Sequence, residues 1–257
     1  NRFSSCDMVW LMNRFFISKS DFQGEQVVLG RRQAHQIRNV LRMSTGGHII
    51  VLDNTGYEYE VVLTEVRKDS VLGQIEQKRP AAGEPQLRLT LYQSLLPRDK
   101  FELVLQKCTE VGVTRFVPIV TQRSLARDLD AVTPNKLTRW RRIITEAAEQ
   151  SARGRIPELD QPVRFKQVVM GLADFDLCLI ASPQEQKMTL RQALHQSRKK
   201  KPQTIALLIG PEGGFAEQEA RLARDSGATP VGLGPRILRT ETAAIVTTAL
   251  ILHGLDA

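Results

Sequence analysis

Two short glycine-marked loops hold the residues best placed to do chemistry. The first, Gly210-Pro211-Glu212-Gly213-Gly214, follows the apolar run 205–209. The second, Gly232-Leu233-Gly234-Pro235-Arg236-Ile237-Leu238-Arg239-Thr240-Glu241, follows Val231. Glycine lets the backbone approach a flat ligand closely, and bare N–H and C=O groups can read an adenine edge. No Lys-Ser/Thr follows GPEGG, so it is not a phosphate loop of the P-loop kind. Ile237 stands where a dinucleotide fingerprint has its third glycine. A nucleotide-like ligand held by backbone is the chemistry that these loops allow. Tight turns with no ligand are the plainer alternative.

Positioning such loops takes strands that end at them and helices that follow. From residue 87 onward the pattern alternates in that way. Strands are expected at 87–93, 115–120, 176–181, 204–209 and 229–233. Helices are expected at 99–111, 134–152, 190–197, 216–226 and 241–253, with Asp99 capping the first of them. The strands are apolar throughout, as parallel strands covered on both faces are. Ligands of such sheets bind outside the carboxyl ends of the strands, where both loops fall.

The first third reads differently. Short β-like runs at 14–17, 26–29, 48–53, 57–66 and 70–75, separated by turn signals, predict a small barrel. One helix over 33–42 interrupts them. Its apolar side is Ile37, Val40 and Leu41, and its basic side is His35, Arg38 and Arg42. The stretch QKRPAAGEPQ has two prolines and a glycine and marks the boundary. The expected division is therefore a leader or loose terminus at 1–11, a barrel at 12–78, a linker at 79–86 and an α/β domain at 87–257.

Composition limits the partners. The 257 residues are 42% hydrophobic, enough for a sizeable core, and carry a net charge of +8. The sequence pI is near 9.7. Excess Lys and Arg points first to nucleic acid and second to an anionic membrane surface, with simple solubility as the other reading. Three unpatterned cysteines, Cys6, Cys108 and Cys178, argue against a disulfide framework and against a zinc site. No metal is expected, and a reducing cytosol is the expected compartment. No apolar run reaches the length of a membrane span.

LLIGPEGGF and LGPRILRTETA together closely resemble the signature loops of the RsmE family, SPOUT-class methyltransferases that modify N3 of a uridine in 16S ribosomal RNA. Three further stretches are similar to that family. They are Gln93-Ser94-Leu95 with LQKCTEVGV, Glu146-Ala147-Ala148-Glu149-Gln150-Ser151 with Arg153 and Arg155-Ile156-Pro157, and Asn13-Arg14-Phe15-Phe16 with His35 and Val40-Leu41-Arg42. The resemblance runs from Met12 onward. It implies a small PUA-like β-barrel followed by a trefoil-knotted parallel-sheet SPOUT domain, working as a homodimer on 16S rRNA within the small ribosomal subunit.

The resemblance also implies S-adenosyl-L-methionine as cofactor. By motif position its contacts would be Leu208, Gly210, Pro211, Glu212, Gly214, Leu233, Gly234, Ile237, Leu238, Arg239 and Thr240, with Ala181 and Ser182 as a third wall. Uracil N3 is a poor nucleophile while protonated. A cation at O2 or O4 stabilises the anion, and a carboxylate or water chain takes the proton. Arg239 is the expected donor and Glu241 the nearest carboxylate. A salt bridge and a first-turn helix residue are their respective structural alternatives. Arg14, Arg38, Arg42, Arg98 and Arg123 are the candidate RNA contacts. Another SPOUT chemistry, on ribose 2′-O or guanine, and a non-catalytic ribosome-assembly factor are the competing functions.

Overall fold

The structure, a computed structural model, describes residues 12–125 and 128–255. The expected leader over residues 1–11 lies outside the described residues. The chain forms two compact units. One runs through Glu84 and takes in Ala148–Ile156, and the other is Pro85–Ala147 with Pro157 onward.

In the first unit six strands form one mixed sheet. They are β1 (Arg14–Phe16), β2 (Phe22–Gln23), β3 (Gln26–Leu29), β4 (His48–Leu52), β5 (Tyr57–Val66) and β6 (Val71–Pro80). Their order is β1-β4-β5-β6-β3-β2. β1 runs parallel to β4, and the other pairs are antiparallel. Side chains alternate across a strand, so Phe15, Val27, Ile49, Val51, Val61, Leu63 and Val71 all enter one core. Every long strand feeds that core, which gives a half-barrel.

The helix over 33–42 is observed in altered form. An α-helix, α1 (Arg31–His35), passes into a π-helical turn over Gln36–Val40. Leu41 N donates to Gln36 O at 2.9 Å, five residues back. The wider turn breaks the 3.6-residue spacing. Ile37 is buried and Leu41 packs on the core, but Val40 is 64% exposed.

Residues 148–156 complete this unit. Phe16 N donates to Glu149 Oε1 at 2.9 Å. Arg153 is buried and holds Glu84 through two 3.2 Å bonds, from Nε and Nη2. Arg155 Nη2 donates to Thr55 O at 2.6 Å, and Ile156 N donates to Asn54 Oδ1 at 2.7 Å. A Cβ on Gly154 would lie 2.6 Å from the Ala81 Cβ, so only glycine fits there. The segment 148–156 is thus a structural staple of the first unit.

The second unit is a parallel sheet of β7 (Arg88–Ser94), β8 (Arg115–Val120), β9 (Glu158–Leu159), β10 (Val163–Arg164), β11 (Leu177–Ala181), β12 (Thr204–Ile209) and β13 (Thr229–Val231). Its order is β10-β8-β7-β12-β11-β13, with β9 also beside β8. All its pairs are parallel. The helices are α2 (Arg98–Val111), α3 (Pro134–Gln150), α4 (Phe165–Met170), α5 (Leu190–Arg198), α6 (Glu217–Asp225) and α7 (Thr240–Leu255). Short β9 and β10 and the helix α4 have no counterpart in the sequence reading. Pro97 takes the cap position of α2, while Asp99 sits in its first turn, where a carboxylate complements the helix dipole.

The sheet is covered on both faces. Tyr92, Val117, Ile119, Ile180, Ala206 and Leu208 pack with Phe165, Val168 and Val169 of α4. α2 packs against α7, where Thr248 Oγ1 donates to Cys108 Sγ at 3.9 Å. Burial pushes the thiols of Cys108 and Cys178 up to about 12 and about 11, so both are inert at neutral pH.

Candidate active site

Parallel strands share one carboxyl edge, so the segments after β7, β8, β11, β12 and β13 gather there. A cavity of about 270 Å³ opens among three of them. Its walls are Ala181–Pro183 at the end of β11, Gly210, Pro211, Glu212 and Gly214 of the loop after β12, and residues 233–234 and 236–240 at the entry to α7.

Hydrogen bonds fix each wall. Ser182 N donates to Val231 O at 3.0 Å, and Gly214 N closes the GPEGG turn onto Pro211 O at 2.8 Å. Thr240 Oγ1 donates to Gly210 O at 2.5 Å and ties the two glycine loops together. Gly232 N donates to Met188 O at 2.9 Å, and Leu190 N donates to Gly232 O at 3.0 Å. A Cβ on Gly232 would lie 2.3 Å from Glu185 O, so that crossing requires glycine. Gly214 and Gly234 have φ of +67° and +105°, conformations that favour glycine.

Of the expected cofactor residues, Gly210, Pro211, Glu212, Gly214, Leu233, Gly234, Ile237, Leu238, Arg239, Thr240, Ala181 and Ser182 line this cavity. Leu208 does not. Strand alternation turns it into the core beside Phe165, and its neighbour Ile209 lines the cavity instead. Arg236 and Ala243 also line it without having been expected.

Charged groups ring the cavity. Lys100, in the first turn of α2, pairs with Glu212 at 2.8 Å. That hydrogen bond holds the Glu212 carboxyl below its usual range and raises the Lys100 ammonium. The charges of Glu241 and Arg239 also act on Lys100, so the starts of α2 and α7 share one electrostatic neighbourhood. Lys100 escaped the sequence reading; its signal is its place just past the carboxyl end of β7. Arg123 Nη1 donates to Gly213 O at 2.7 Å, from a turn held by Ser124 Oγ on Thr121 N and Ser94 Oγ.

Arg239 is exposed on the cavity wall. Glu241, in the first turn of α7, is only 8% exposed and does not line the cavity. Its Oε2 has no hydrogen-bond partner among the described residues. A buried carboxylate oxygen left unpaired costs stability.

The candidate RNA contacts separate. Arg38 and Arg42 are exposed on the first unit. Arg14 is 8% exposed and sits 3.9 Å from Glu58; burial is the main cause that lowers its pKa, partly offset by Glu58. The helix α2 begins at Arg98, whose side chain lies outside the described residues. Among the described residues one group could take a metal. It is the cluster of His48, Glu60 and Glu76 on the surface of the first unit, where Glu60 is also held by Arg79 at 3.4 Å.

Residues 83–252 match the model of an RNA methyltransferase domain, and residues 29–76 match that of an RNA methyltransferase PUA domain. The Bacillus subtilis ribosomal RNA small subunit methyltransferase E is 35% identical over 248 residues, covering 94% of this chain and 96% of that protein. This chain belongs to the ribosomal RNA small subunit methyltransferase E (RsmE) family.

A solved RsmE structure from Neisseria gonorrhoeae, bound to S-adenosyl methionine, aligns with a TM-score of 0.83 at 30% identity, covering 93% of this chain and 96% of that one. A putative methyltransferase from Legionella pneumophila, in complex with the same cofactor, aligns with a TM-score of 0.82 at 32% identity, covering 93% and 96%. As in that family, the first unit is PUA-like and the second is of the SPOUT class.

The cavity of this RsmE chain fits the cofactor's chemistry. Its volume of about 270 Å³ is just below the roughly 300–1,000 Å³ of ligand sites. Ile237 is 90% exposed on its wall, an apolar side chain with no protein cover. No backbone hydrogen bond engages the N–H of Leu233, Gly234, Ile237 or Leu238 among the described residues. Bare amides beside apolar side chains suit a purine with a polar edge and flat faces.

Proposed function

We propose that this chain methylates N3 of a uridine in 16S ribosomal RNA of the small subunit, with S-adenosyl-L-methionine as methyl donor. The observation that carries the reading is the cavity walled by both glycine loops, with Arg239 on its wall and Glu241 two residues further on. When bound, the cofactor supplies an electrophilic sulfonium methyl and leaves as a thioether.

The protein's part is to hold, orient and handle one proton. Residues 233–238 offer amides and apolar side chains to the purine, and Ala181–Pro183 closes the third wall. Arg239 faces the oxygen on which negative charge grows as N3 loses its proton; a preorganised cation there lowers the barrier. Glu241, which does not line the cavity, accepts the N3 proton through water, and its Oε2 has no protein partner among the described residues. Alignment of N3 with the methyl supplies much of the remaining rate. Lys100 keeps Glu212 engaged, so the acidic side chain of the first loop is neutralised beside an anionic substrate.

The exposed Arg38 and Arg42 of the PUA-like unit, with Arg123, would meet RNA phosphates, and Arg14 would serve the interior of its own unit instead. Phosphate contact of this kind makes affinity fall steeply with salt. The target base leaves its stack to reach the cavity. A homodimer, a knotted second unit and a cytoplasmic location complete the reading, all on the strength of family membership.

The test is to incubate the purified protein with small subunits that lack the modification and with labelled S-adenosylmethionine. Nucleoside mass spectrometry then maps the methyl group. A 3-methyluridine in 16S rRNA is the expected product. A methylated ribose or guanine would replace the reading with another SPOUT chemistry, and no incorporation despite cofactor binding would favour an assembly factor.

A further inference from the structure

We infer that Gln93 is a positioning residue of the cofactor pocket and acts through Thr240. Gln93 lies next to the last residue of β7, and its pairing partner on β12 is Ile209, directly before Gly210. The strand register therefore fixes it beside the root of the first glycine loop. It is 1% exposed and does not line the cavity, so it does not touch the ligand.

Its side-chain amide is shared between two acceptors. Nε2 donates to Ser94 O at 3.1 Å and, over a longer 3.5 Å, to Thr240 Oγ1. Thr240 has one hydroxyl proton, and it goes to Gly210 O at 2.5 Å. Both neighbours of Nε2 therefore accept, and an amide flipped end for end would face two acceptors with an oxygen. The orientation of the carboxamide is fixed by this logic.

A directed chain results, from Gln93 N–H to Thr240 O–H to the Gly210 carbonyl. Successive bonds of this kind polarise one another in a buried setting. The chain holds Thr240 between Arg239 and Glu241, and it holds Gly210 in the cavity wall. Gln93 Oε1 has no partner among the described residues. A buried unpaired acceptor is costly, and apolar residues of similar length would avoid that cost. What the carboxamide supplies at this position is the donor it points at Thr240.

The inference rests on the reading of this cavity as the S-adenosylmethionine site. Calorimetric titration with S-adenosylmethionine on wild type, Gln93→Met, Thr240→Val and the double variant tests it, together with initial rates on small subunits. Gln93→Met is expected to weaken cofactor binding about five- to tenfold, the size of one lost buried hydrogen bond. Its rate deficit is expected to close as cofactor is raised, while the KM for subunits stays put; a general folding defect would move both. In the Thr240→Val background the same substitution is expected to add less than about twofold, because coupled residues are not additive.

An unchanged cofactor affinity in Gln93→Met overturns the inference, as does full multiplication of the two effects in the double variant. Failure of the wild type to bind the cofactor at all would instead overturn the reading of the cavity itself.

Discussion

Thr240 Oγ1 donates a 2.5 Å hydrogen bond to the carbonyl of Gly210, so one hydroxyl joins the loop after β12 to the start of α7. Valine keeps the shape of threonine and removes the donor, leaving a buried carbonyl unpaired at a cost of about 1–3 kcal/mol. For a chain of this size each kcal/mol lowers the unfolding midpoint by roughly 2–4 °C. Thr240→Val is expected to melt a few degrees early and to bind S-adenosylmethionine about tenfold more weakly, by calorimetry.

Arg239→Ala is expected to fold normally, since the side chain is exposed. Loss of a preorganised charge at the developing oxyanion costs on the order of 10²–10³ in rate. Single-turnover methylation on cofactor-loaded enzyme measures it. Rates within a few-fold of wild type would remove Arg239 from the mechanism.

Glu241→Gln removes a buried carboxylate whose Oε2 lacks a partner among the described residues. Replacing a buried carboxylate oxygen that no donor reaches relieves a desolvation cost, so the melting temperature is expected to hold or rise. The rate is expected to fall by orders of magnitude, about 10²–10⁴ for a lost general base. A lower melting temperature with the rate intact would mark Glu241 as a first-turn helix residue only.

Gly232→Ala places a Cβ 2.3 Å from Glu185 O, a backbone atom that cannot swing aside. Overpacking of this kind costs about 1–3 kcal/mol. Reduced thermal stability, and cofactor affinity lowered with it, are the expected outcomes; a wild-type melting curve would show that the segment 185–190 is able to give way.

Asp176 Oδ2 accepts from Gln203 N, Thr204 N and Thr204 Oγ1, each at 2.9 Å. The backbone bond from Gln203 leads the causes that depress its pKa. A depressed carboxylate contributes stability at pH values above the unfolded pKa, near 4, and loses it as pH falls through the folded pKa. Asp176→Ala is therefore expected to melt below wild type at pH 7, with the gap closing from about pH 4 downward. A gap that persists unchanged in acid would refute the charged form's role.

Much of the second unit was legible because parallel strands covered on both faces read as unbroken apolar runs. The two glycine loops were visible because strained turns and close crossings, as at Gly232, Gly214 and Gly234, need one residue type. The roles that the sequence does not display depend on three-dimensional pairing. Leu208 and Ile209 look equally apolar in sequence, and only the strand's alternation against α4 sends one inward and the other to the cavity. Gln93 and Lys100 lie far in sequence from the loops they serve, and strand register brings them there. The π turn at 36–40 has no local signal, so Val40 was placed on the wrong side. Arg14 and Arg153 look like surface cations until their carboxylates, Glu58 and Glu84, are seen beside them.

Residues 148–156 belong to the PUA-like unit although the sequence on either side of them belongs to the other. The two units are therefore not interchangeable cassettes. A single cut near residue 84 would strip Arg153 of Glu84 and Ile156 of its Asn54 bond, and would leave Ala148 without Ile50 and Leu52. Swapping the PUA-like unit between relatives requires moving both pieces at once. Insertions or shuffling that treat the chain as two beads on a string would sever the staple before they altered the catalyst.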